Sequence, residues 1–321
     1  MRIQSVALIG AGAVGAWFIP GLSYVYGDRF SVIAEGERAE KLKREGVVIN
    51  GRRYKPQVRS AVEAGSLGVD LLIVATKYDA IPDILHDIKT ITELGKILKR
   101  ELADPAGTIV LSPLNGIDAE EQIAKEIGEE HMLWSFMRIV SARKGNEIVI
   151  SPTTRDGLIF GEKHTKEKTE RCRAIEMMLM TCGINGRFSD SIITEMWQKF
   201  AFNLSTNLPQ AVFGVGYGAY LDSEHVAYIH DCLAFETIMV ARKLGIVIDY
   251  QPNTRNLAMP GARFSTLQDL DAGRKTEIEM LAGVLMKKAA EVDIPVPFTE
   301  YTYHAIKALE EKNAGLFDYE V

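Results

Sequence analysis

Cysteine is scarce in this sequence, with only Cys172, Cys182 and Cys232 in a chain of 321 residues. An odd and sparse set provides no disulfide framework, so we expect structural thiols and a cytoplasmic protein in a reducing compartment. The six histidines form no HExxH or comparable ligand spacing. The sequence therefore predicts no metal site.

The chain also lacks a basic excess and a long apolar run. Its net charge of −6 argues against general nucleic-acid binding, because no surplus of lysine and arginine neutralises phosphates. No window approaches the ~18 apolar residues that span a membrane. The early apolar run breaks into glycines, unlike a signal peptide. The length and the 47% of hydrophobic residues instead predict two globular domains.

The N-terminal half opens with a strand, a glycine turn and a helix start. Residues 3–9 are an apolar run, GAGAVG follows, and AWFIPGL can begin a helix. In a dinucleotide-binding GxGxxG motif Gly10 permits the tight turn, Gly12 lets the pyrophosphate approach the backbone, and Gly15 lets the helix pack closely on the strand. The pyrophosphate would lie at the helix N-terminus. The predicted cofactor-binding loop is Gly10, Ala11, Gly12, Ala13, Val14 and Gly15.

Polar residues follow three further strand-like segments. RFSVIAE ends at Glu35, VDLLIVAT is followed by Lys77, and GTIVLSPLNG contains Asn115. Ligands of open α/β sheets bind beyond the carboxyl ends of the strands, so we expect these side chains to face the cofactor. An acidic residue at position 35 could accept hydrogen bonds from the adenosine ribose hydroxyls.

The pattern changes near residue 190. Before it, further strands are expected in residues 132–142, 146–152 and 157–162, with an amphipathic helix at 166–182. After it, strand-like runs give way to long helical periods. We therefore predict an α/β Rossmann-type dinucleotide-binding domain at 1–190 and an all-α domain at 191–321.

One stretch of the second half, ITEMWQKFAFNLSTNLPQAVFG from Ile193, is apolar but carries Lys199, Asn203 and Asn207. Four residues turn a helix by about 400°, so the three side chains share one face, with Glu195 at its edge. Buried polar groups need partners. In a local interpretation Glu195 pairs with Lys199 and the amides bond to the backbone. In a functional one, this face is a wall of an active-site cleft and Lys199 is a proton donor.

Two more polar residues allow alternative interpretations. Glu277 is predicted on the apolar face of a helix, with Leu281, Val284 and Leu285. A carboxylate there is either paired with a structural cation or functional. Ser265 precedes the same helix and is either its N-cap or part of a site.

In their order, these motifs resemble the ketopantoate reductase (2-dehydropantoate 2-reductase) family over nearly the whole chain. The resemblance rests on GAGAVG, Thr76-Lys77, Asn115-Gly116, EMWQKFAFNLSTN, STLQDL and KTEIE. It implies an oxidoreductase that reduces the C2 ketone of a small 2-oxo acid, ketopantoate, with NADPH in pantothenate biosynthesis. The alternatives are a related dehydrogenase that reduces another 2-oxo acid with NADH, and a dinucleotide sensor without turnover. A homodimer is left open.

The resemblance also implies roles for single residues. Lys199 looks like the catalytic lysine that protonates the carbonyl oxygen, and Glu277 like the acid that holds the substrate hydroxyl. Lys77 matches the cofactor phosphate pocket. The positions that match substrate-binding residues are Asn115, which also lies near the nicotinamide ribose, Asn203, Asn207 and Ser265.

Glu35 departs from the family pattern, because many members have an arginine at this position. Arginine suits the 2′-phosphate of NADPH, whereas glutamate repels it and suits the free ribose hydroxyl of NADH. Lys77 and Arg38 could offset the repulsion. NADPH is thus the family expectation and NADH a hypothesis that Glu35 raises. The segment of residues 86–107 is longer than we expect for this family, and its sequence indicates no function.

Overall fold

A computed structural model describes residues 1–98, 102–152, 156–250, 259–317 and 319 of the chain. The chain divides into two compact units, Met1–Ile192 and Ile193–Val321. The predicted fold class is confirmed, since a Rossmann-like unit with a parallel-sheet core precedes a helical one.

The described residues of the first unit form both strands and helices. The strands are β1 (Val6–Ile9), β2 (Phe30–Ile33), β3 (Val47–Ile49), β4 (Arg52–Tyr54), β5 (Gln57–Arg59), β6 (Leu71–Val74), β7 (Ile109–Leu111), β8 (Met132–Arg138), β9 (Ser141–Lys144), β10 (Glu147–Ile150), β11 (Gly157–Gly161) and β12 (Gly186–Phe188). The helices are α1 (Ile19–Tyr26), α2 (Gly36–Glu45), α3 (Ala61–Leu67), α4 (Ile81–Ile97), α5 (Ala119–Ile127) and α6 (Glu170–Thr181).

Eight strands form the main sheet, in the order β12-β11-β8-β7-β6-β1-β2-β5. All neighbours in it are parallel except β8 and β11. Ile9 pairs with both Ile33 and Val74, and Ile73 pairs with Leu111. The carboxyl ends of β2, β1, β6 and β7 are therefore level along one edge of the sheet. Each residue of β6 is buried, as expected of a central strand covered on both faces.

A second, four-stranded sheet has the order β4-β3-β10-β9. The sequence suggested one continuous strand over 132–142, but this segment divides into β8 and β9, which belong to different sheets. The division follows from a hairpin. Gly145, with φ +59°, allows the turn that pairs β9 with β10 from Lys144 opposite Glu147 back to Ser141 opposite Ile150.

The described residues of the second unit form helices. Their bounds are α7 (Ile192–Phe213), α8 (Ala219–Asp222), α9 (Glu224–Lys243), α10 (Ser265–Asp271), α11 (Val284–Glu291), which a π-helical turn at Glu279–Gly283 precedes, and α12 (Pro297–Asn313). The predicted stop of α9 at Gly245 is confirmed, since this glycine has φ +81°. None of the helices in the described ranges has the length and apolar character needed to cross a membrane.

The segment at 86–107 begins inside α4. Residues 99–101 lie outside the described residues, and the segment continues in a turn that ends at Gly107. Asp70 ties this turn to the sheet, because its carboxylate accepts from the N–H of Ala103 at 2.8 Å and from that of Gln4 at 2.6 Å. The segment therefore has a structural anchor beside β6.

Candidate active site

The glycine loop connects β1 to a 3-10 turn at Gly15–Trp17, and α1 begins only at Ile19. A methyl group at Gly15 would lie 1.8 Å from the carbonyl oxygen of Gly10, so the turn closes on itself with backbone against backbone. Gly10 has φ +95°, and a methyl group on it would lie 2.4 Å from the carbonyl oxygen of Ala75. Only glycine fits at these two positions.

Gly12 has a different environment from the two packed glycines. A methyl group on it would meet no atom within 4 Å. The middle of the loop thus presents open backbone, and this is the feature a pyrophosphate needs at a glycine-rich turn. Because its backbone is open at Gly12, the loop is suited to bind a dinucleotide.

Polar side chains follow the strands next to β1. Glu35 is exposed at the N-cap position of α2, two residues beyond β2. Lys77 is exposed after β6 and precedes a 3-10 turn, and Asn115 is half-buried after β7. Because the carboxyl ends of these strands are level, the structure brings the three residues to the same sheet edge as the glycine loop.

The surroundings of Glu35 are acidic. A cavity of about 280 Å³ beside it is lined by the carboxylates of Glu35, Glu40 and Glu63 and by the cations of Lys43 and Arg59. Asp87 on α4 adds to this charge: burial and the negative charge of Glu35 together raise its pKa. A further anion near Glu35 would therefore meet repulsion from more than one carboxylate.

The polar column lies on α7, as the four-residue spacing requires. Lys199 and Asn203 are half-buried, and Asn207 is buried, with 7% of its surface exposed. No donor among the described residues forms a hydrogen bond with the side-chain oxygen of Asn207. A buried acceptor without a donor is costly, so this atom is a candidate acceptor for a donor from outside the described part of the chain.

Ser265 is positioned by a residue that the sequence analysis missed. Gln210, fully buried on α7, donates from Nε2 to the carbonyl oxygen of Ala262 at 2.9 Å. Its Oε1 accepts from the N–H of Phe264 at 2.5 Å. Phe264 also packs edge-to-face on Phe202 at 6.2 Å. These contacts bring Ser265 to α7. The sequence pattern that could have indicated Gln210 is its position on the polar face, one turn after Asn207.

The structure disfavours the N-cap alternative for Ser265 and corrects the predicted helical position of Glu277. Ser265 is the first residue of α10 and Phe264 takes the cap position, so capping does not account for the serine. Glu277 lies in a bend before the helix rather than within it, because Gly273, with φ +64°, ends the previous helix. The carbonyl of Glu277 accepts from the N–H of Leu281 at 3.2 Å, so Glu277 stands at the helix start.

Glu277 is held in this bend through its neighbour. The N–H and hydroxyl of Thr276 both donate to Glu310 on α12, at 2.6 and 2.7 Å. Lys307 lies 3.4 Å from the same carboxylate. Thr276 is therefore fixed in position, and it holds the backbone of Glu277 at the start of the next helix.

A second group that the sequence did not indicate lies just after Asn115. Glu120, on the first turn of α5, is 1% exposed, and burial raises its pKa to about 8. Asp118 is also buried, and its carboxylate accepts from the hydroxyl of Tyr78 at 2.8 Å and from Gln122 at 2.9 Å. Acidic residues are rarely buried, and no pattern in the sequence indicated that these two are.

Comparison with known proteins identifies relatives over most of the chain. Residues 6–164 match the family model described as ketopantoate reductase PanE/ApbA, and residues 191–310 match its C-terminal counterpart. An uncharacterized oxidoreductase of Bacillus subtilis, YkpB, is 26% identical, covering 94% of this chain and 98% of that protein. A 2-dehydropantoate 2-reductase of Pyrococcus horikoshii is 25% identical, covering 97% and 99%.

The fold is also similar to that of a solved D-mandelate dehydrogenase in a ternary structure with NADH and anilino(oxo)acetate. The TM-score is 0.79 at 21% identity, and the match covers 97% of this chain and 99% of the other. Similar architectures thus occur in proteins with different substrates.

The two packing environments in the glycine loop predict different effects of the same substitution. Gly15→Ala should lower the free energy of unfolding by several kcal/mol, about 3 or more, since its methyl group cannot fit beside the Gly10 carbonyl. Gly12→Ala should change it by less than about 0.5 kcal/mol, yet weaken dinucleotide binding. Urea denaturation and cofactor titration measure the two effects. Equal losses of stability in both variants would contradict the geometry.

Glu120 predicts a pH dependence of stability. Its pKa rises from 4.5 in the unfolded chain to about 8 in the folded protein, so the folded state retains a proton that the unfolded state loses. Stability should therefore fall between pH 4.5 and 8, with a slope of up to about 1.4 kcal/mol per pH unit from this group. Glu120→Gln should flatten the fall in urea denaturation.

Glu126→Gln on the exposed side of the same helix provides the control, because it removes a carboxylate without removing a buried one. Its pH profile should follow that of the unmodified protein. Parallel profiles for Glu120→Gln and the unmodified protein would show that Glu120 does not titrate as described.

Proposed function

Because the chain belongs to the ketopantoate reductase family, whose members are NAD(P)-dependent oxidoreductases of keto and hydroxy acids, we propose that it is a 2-dehydropantoate 2-reductase. It reduces the C2 ketone of ketopantoate to (R)-pantoate, a step of pantothenate and coenzyme A biosynthesis. The observation that carries the proposal is the polar face of α7, where Lys199 precedes a buried amide whose oxygen has no donor among the described residues.

The first unit provides the groups that hold the dinucleotide. The open backbone around Gly12 faces the pyrophosphate, Glu35 accepts from the adenosine ribose, and Lys77 lies by the phosphates. Asn115 binds near the nicotinamide ribose and the substrate. When bound, the reduced nicotinamide supplies the hydride.

The second unit provides the proton and the substrate contacts. Negative charge develops on the ketone oxygen as its carbon gains the hydride, and the ammonium group of Lys199 stabilises this charge and donates the proton that completes the hydroxyl group. Asn203 and Ser265 bind substrate oxygens. Glu277 accepts the hydrogen bond of the one hydroxyl group of ketopantoate, and the buried side-chain oxygen of Asn207 is an alternative acceptor for the same proton. The amides add no charge that competes with Lys199.

A second candidate is the reduction of a 2-oxo acid with an aromatic substituent. Three half-buried rings lie beside the polar face: Phe264 packs edge-to-face on Phe202 at 6.2 Å and on Tyr217 at 5.3 Å. On α7, Phe202 lies about 60° around the helix from Lys199. The ring of an aromatic substituent could pack on this cluster in the same edge-to-face geometry. The observation supports a substrate such as phenylglyoxylate.

The charges around Glu35 support NADH as the preferred reductant. Glu35, Glu40 and Glu63 outnumber Lys43 and Arg59 in the adjacent cavity. The negative charge of Asp87 is close enough to Glu35 for the two to interact. A 2′-phosphate at Glu35 would add a double charge to this group, whereas the free ribose hydroxyl of NADH can donate a hydrogen bond to it.

Turnover tests the reaction and its acid. The purified protein should oxidise reduced nicotinamide when ketopantoate is added, followed by absorbance. Lys199→Ala should lower kcat by about 10² to 10⁴-fold, because it removes the proton donor and the charge at the ketone oxygen. Its cofactor Kd should be unchanged, and Lys243→Ala on the exposed end of α9 is the matched control.

Full turnover by Lys199→Ala would refute the assigned acid, and no oxidation of either cofactor by the folded protein would refute the reaction. Phenylglyoxylate and 3-methyl-2-oxobutanoate complete the substrate series. A kcat/KM for phenylglyoxylate well above that for ketopantoate would replace the first candidate with the second.

Cofactor choice has its own prediction. The unmodified protein should have a kcat/KM at least about tenfold higher with NADH than with NADPH, and Glu35→Arg should reverse this order by replacing repulsion of the 2′-phosphate with attraction. Glu45→Arg makes the same charge change at the far end of α2 and should leave the ratio within about twofold. A strong NADPH preference in the unmodified protein would rule out the role given to Glu35.

A further inference from the structure

The glycine loop is held by a side chain from the second sheet of its unit. Ser141, the first residue of β9, donates its hydroxyl to the carbonyl oxygen of Ala13 at 2.9 Å, across 128 positions of the chain. Backbone donors take the neighbouring carbonyls: the N–H of Ala16 donates to Gly12 at 2.9 Å and that of Trp17 to Val14 at 3.1 Å. The Ala13 carbonyl thus has a partner of another kind, from outside the loop.

This bond fixes more than one carbonyl group. A trans peptide directs its C=O and its N–H in opposite directions. Since Ser141 holds the carbonyl of Ala13, it also sets the direction of the Val14 N–H, which belongs to the same peptide unit. Val14 lies in the half-buried middle of the loop, next to the open backbone at Gly12. An N–H that is oriented in advance binds an anion without the entropy cost of ordering it.

Ser141 is itself in a rigid frame. It pairs with Ile150 in the antiparallel β9–β10 ladder. Asn50 holds Ile150 on both sides, because its Nδ2 donates to the Ile150 carbonyl at 3.1 Å and its Oδ1 accepts from the Ile150 N–H at 2.8 Å. The N–H of Ser151 donates to Val140 at 2.8 Å. The second sheet is therefore able to act as a brace for the loop.

We propose that Ser141 is a positioning residue for the dinucleotide: its hydroxyl holds the Ala13–Val14 peptide so that the Val14 N–H is presented to the pyrophosphate. The proposal rests on the cofactor role proposed for the loop. It concerns the affinity for the dinucleotide and not the chemical step, and Ser141 acts through the loop without contact to the reacting atoms.

The test separates affinity from catalysis. Ser141→Ala should raise the Kd for both NADH and NADPH about five- to tenfold, as expected when one hydrogen bond is lost. Ser141→Thr retains the hydroxyl and should stay within about twofold of the unmodified protein. At saturating cofactor, kcat and the KM for the 2-oxo acid should be unchanged in both variants. Titration of the full-length protein by calorimetry gives the Kd values.

Hydrogen exchange of the unliganded protein gives a readout that does not depend on activity. Amides of residues 12–18 should exchange faster in Ser141→Ala than in the unmodified protein. The matched control is Thr181→Ala, which removes another hydroxyl-to-carbonyl bond of the same unit, from Thr181 to Met177 at 2.8 Å on α6. This control should change neither the loop exchange nor the Kd.

Two results would overturn the proposal while the cofactor role of the loop stands. One is a Ser141→Ala variant with unchanged Kd and loop exchange. The other is a Ser141→Thr variant that is as weak as Ser141→Ala, which would assign the effect to packing rather than to the hydroxyl. If the unmodified protein binds neither dinucleotide, the proposed cofactor role fails, and the role of Ser141 fails with it.

Discussion

The burial of polar side chains on α7 is the constraint on which the second unit depends. Each polar atom that packing removes from water needs a hydrogen-bond partner. Gln210 is fully buried, and an amide in such a place costs several kcal/mol if it is unpaired. The backbone of Ala262 and Phe264 satisfies both ends of this amide. Because the buried Gln210 amide needs these two backbone partners, it fixes the start of α10 and with it the position of Ser265.

Asn207 lies one turn before Gln210, and its buried amide needs hydrogen-bond partners for the same reason. Its oxygen is as inaccessible as the Gln210 amide, but no described residue donates a hydrogen bond to it. Of these two amides, that of Gln210 is bound by the fold, and that of Asn207 is the one that the proposed function assigns to a ligand. The local alternative for this face, in which all its amides serve the backbone, accounts for Gln210 and leaves the oxygen of Asn207 unexplained.

The sequence was informative where the chemistry depends on spacing within one element. The glycine motif and the column from Lys199 to Asn207 were both visible, because turn geometry and helix periodicity are local properties. Contacts between distant segments were not visible. The bond between Ser141 and Ala13 spans 128 positions and that between Gln210 and Phe264 spans 54, and no local pattern marks either. The bend at Glu277 was missed because apolar periodicity continues across it, while a single left-handed glycine ends the previous helix.

Charge is the constraint on the first unit, because the proposed dinucleotide is negative and the protein has a net charge of −6. In the proposed role, the glycine loop binds the pyrophosphate through backbone N–H groups, which add no net charge of their own. Glu120 follows the Asn115 loop closely in sequence, and an ionised carboxylate there would oppose such binding. Burial instead raises its pKa to about 8, so the group is mostly neutral at pH 7. In the proposed cofactor role, Glu35 and the neighbouring Asp87 oppose one extra phosphate at the ribose, while neutral backbone donors bind the pyrophosphate.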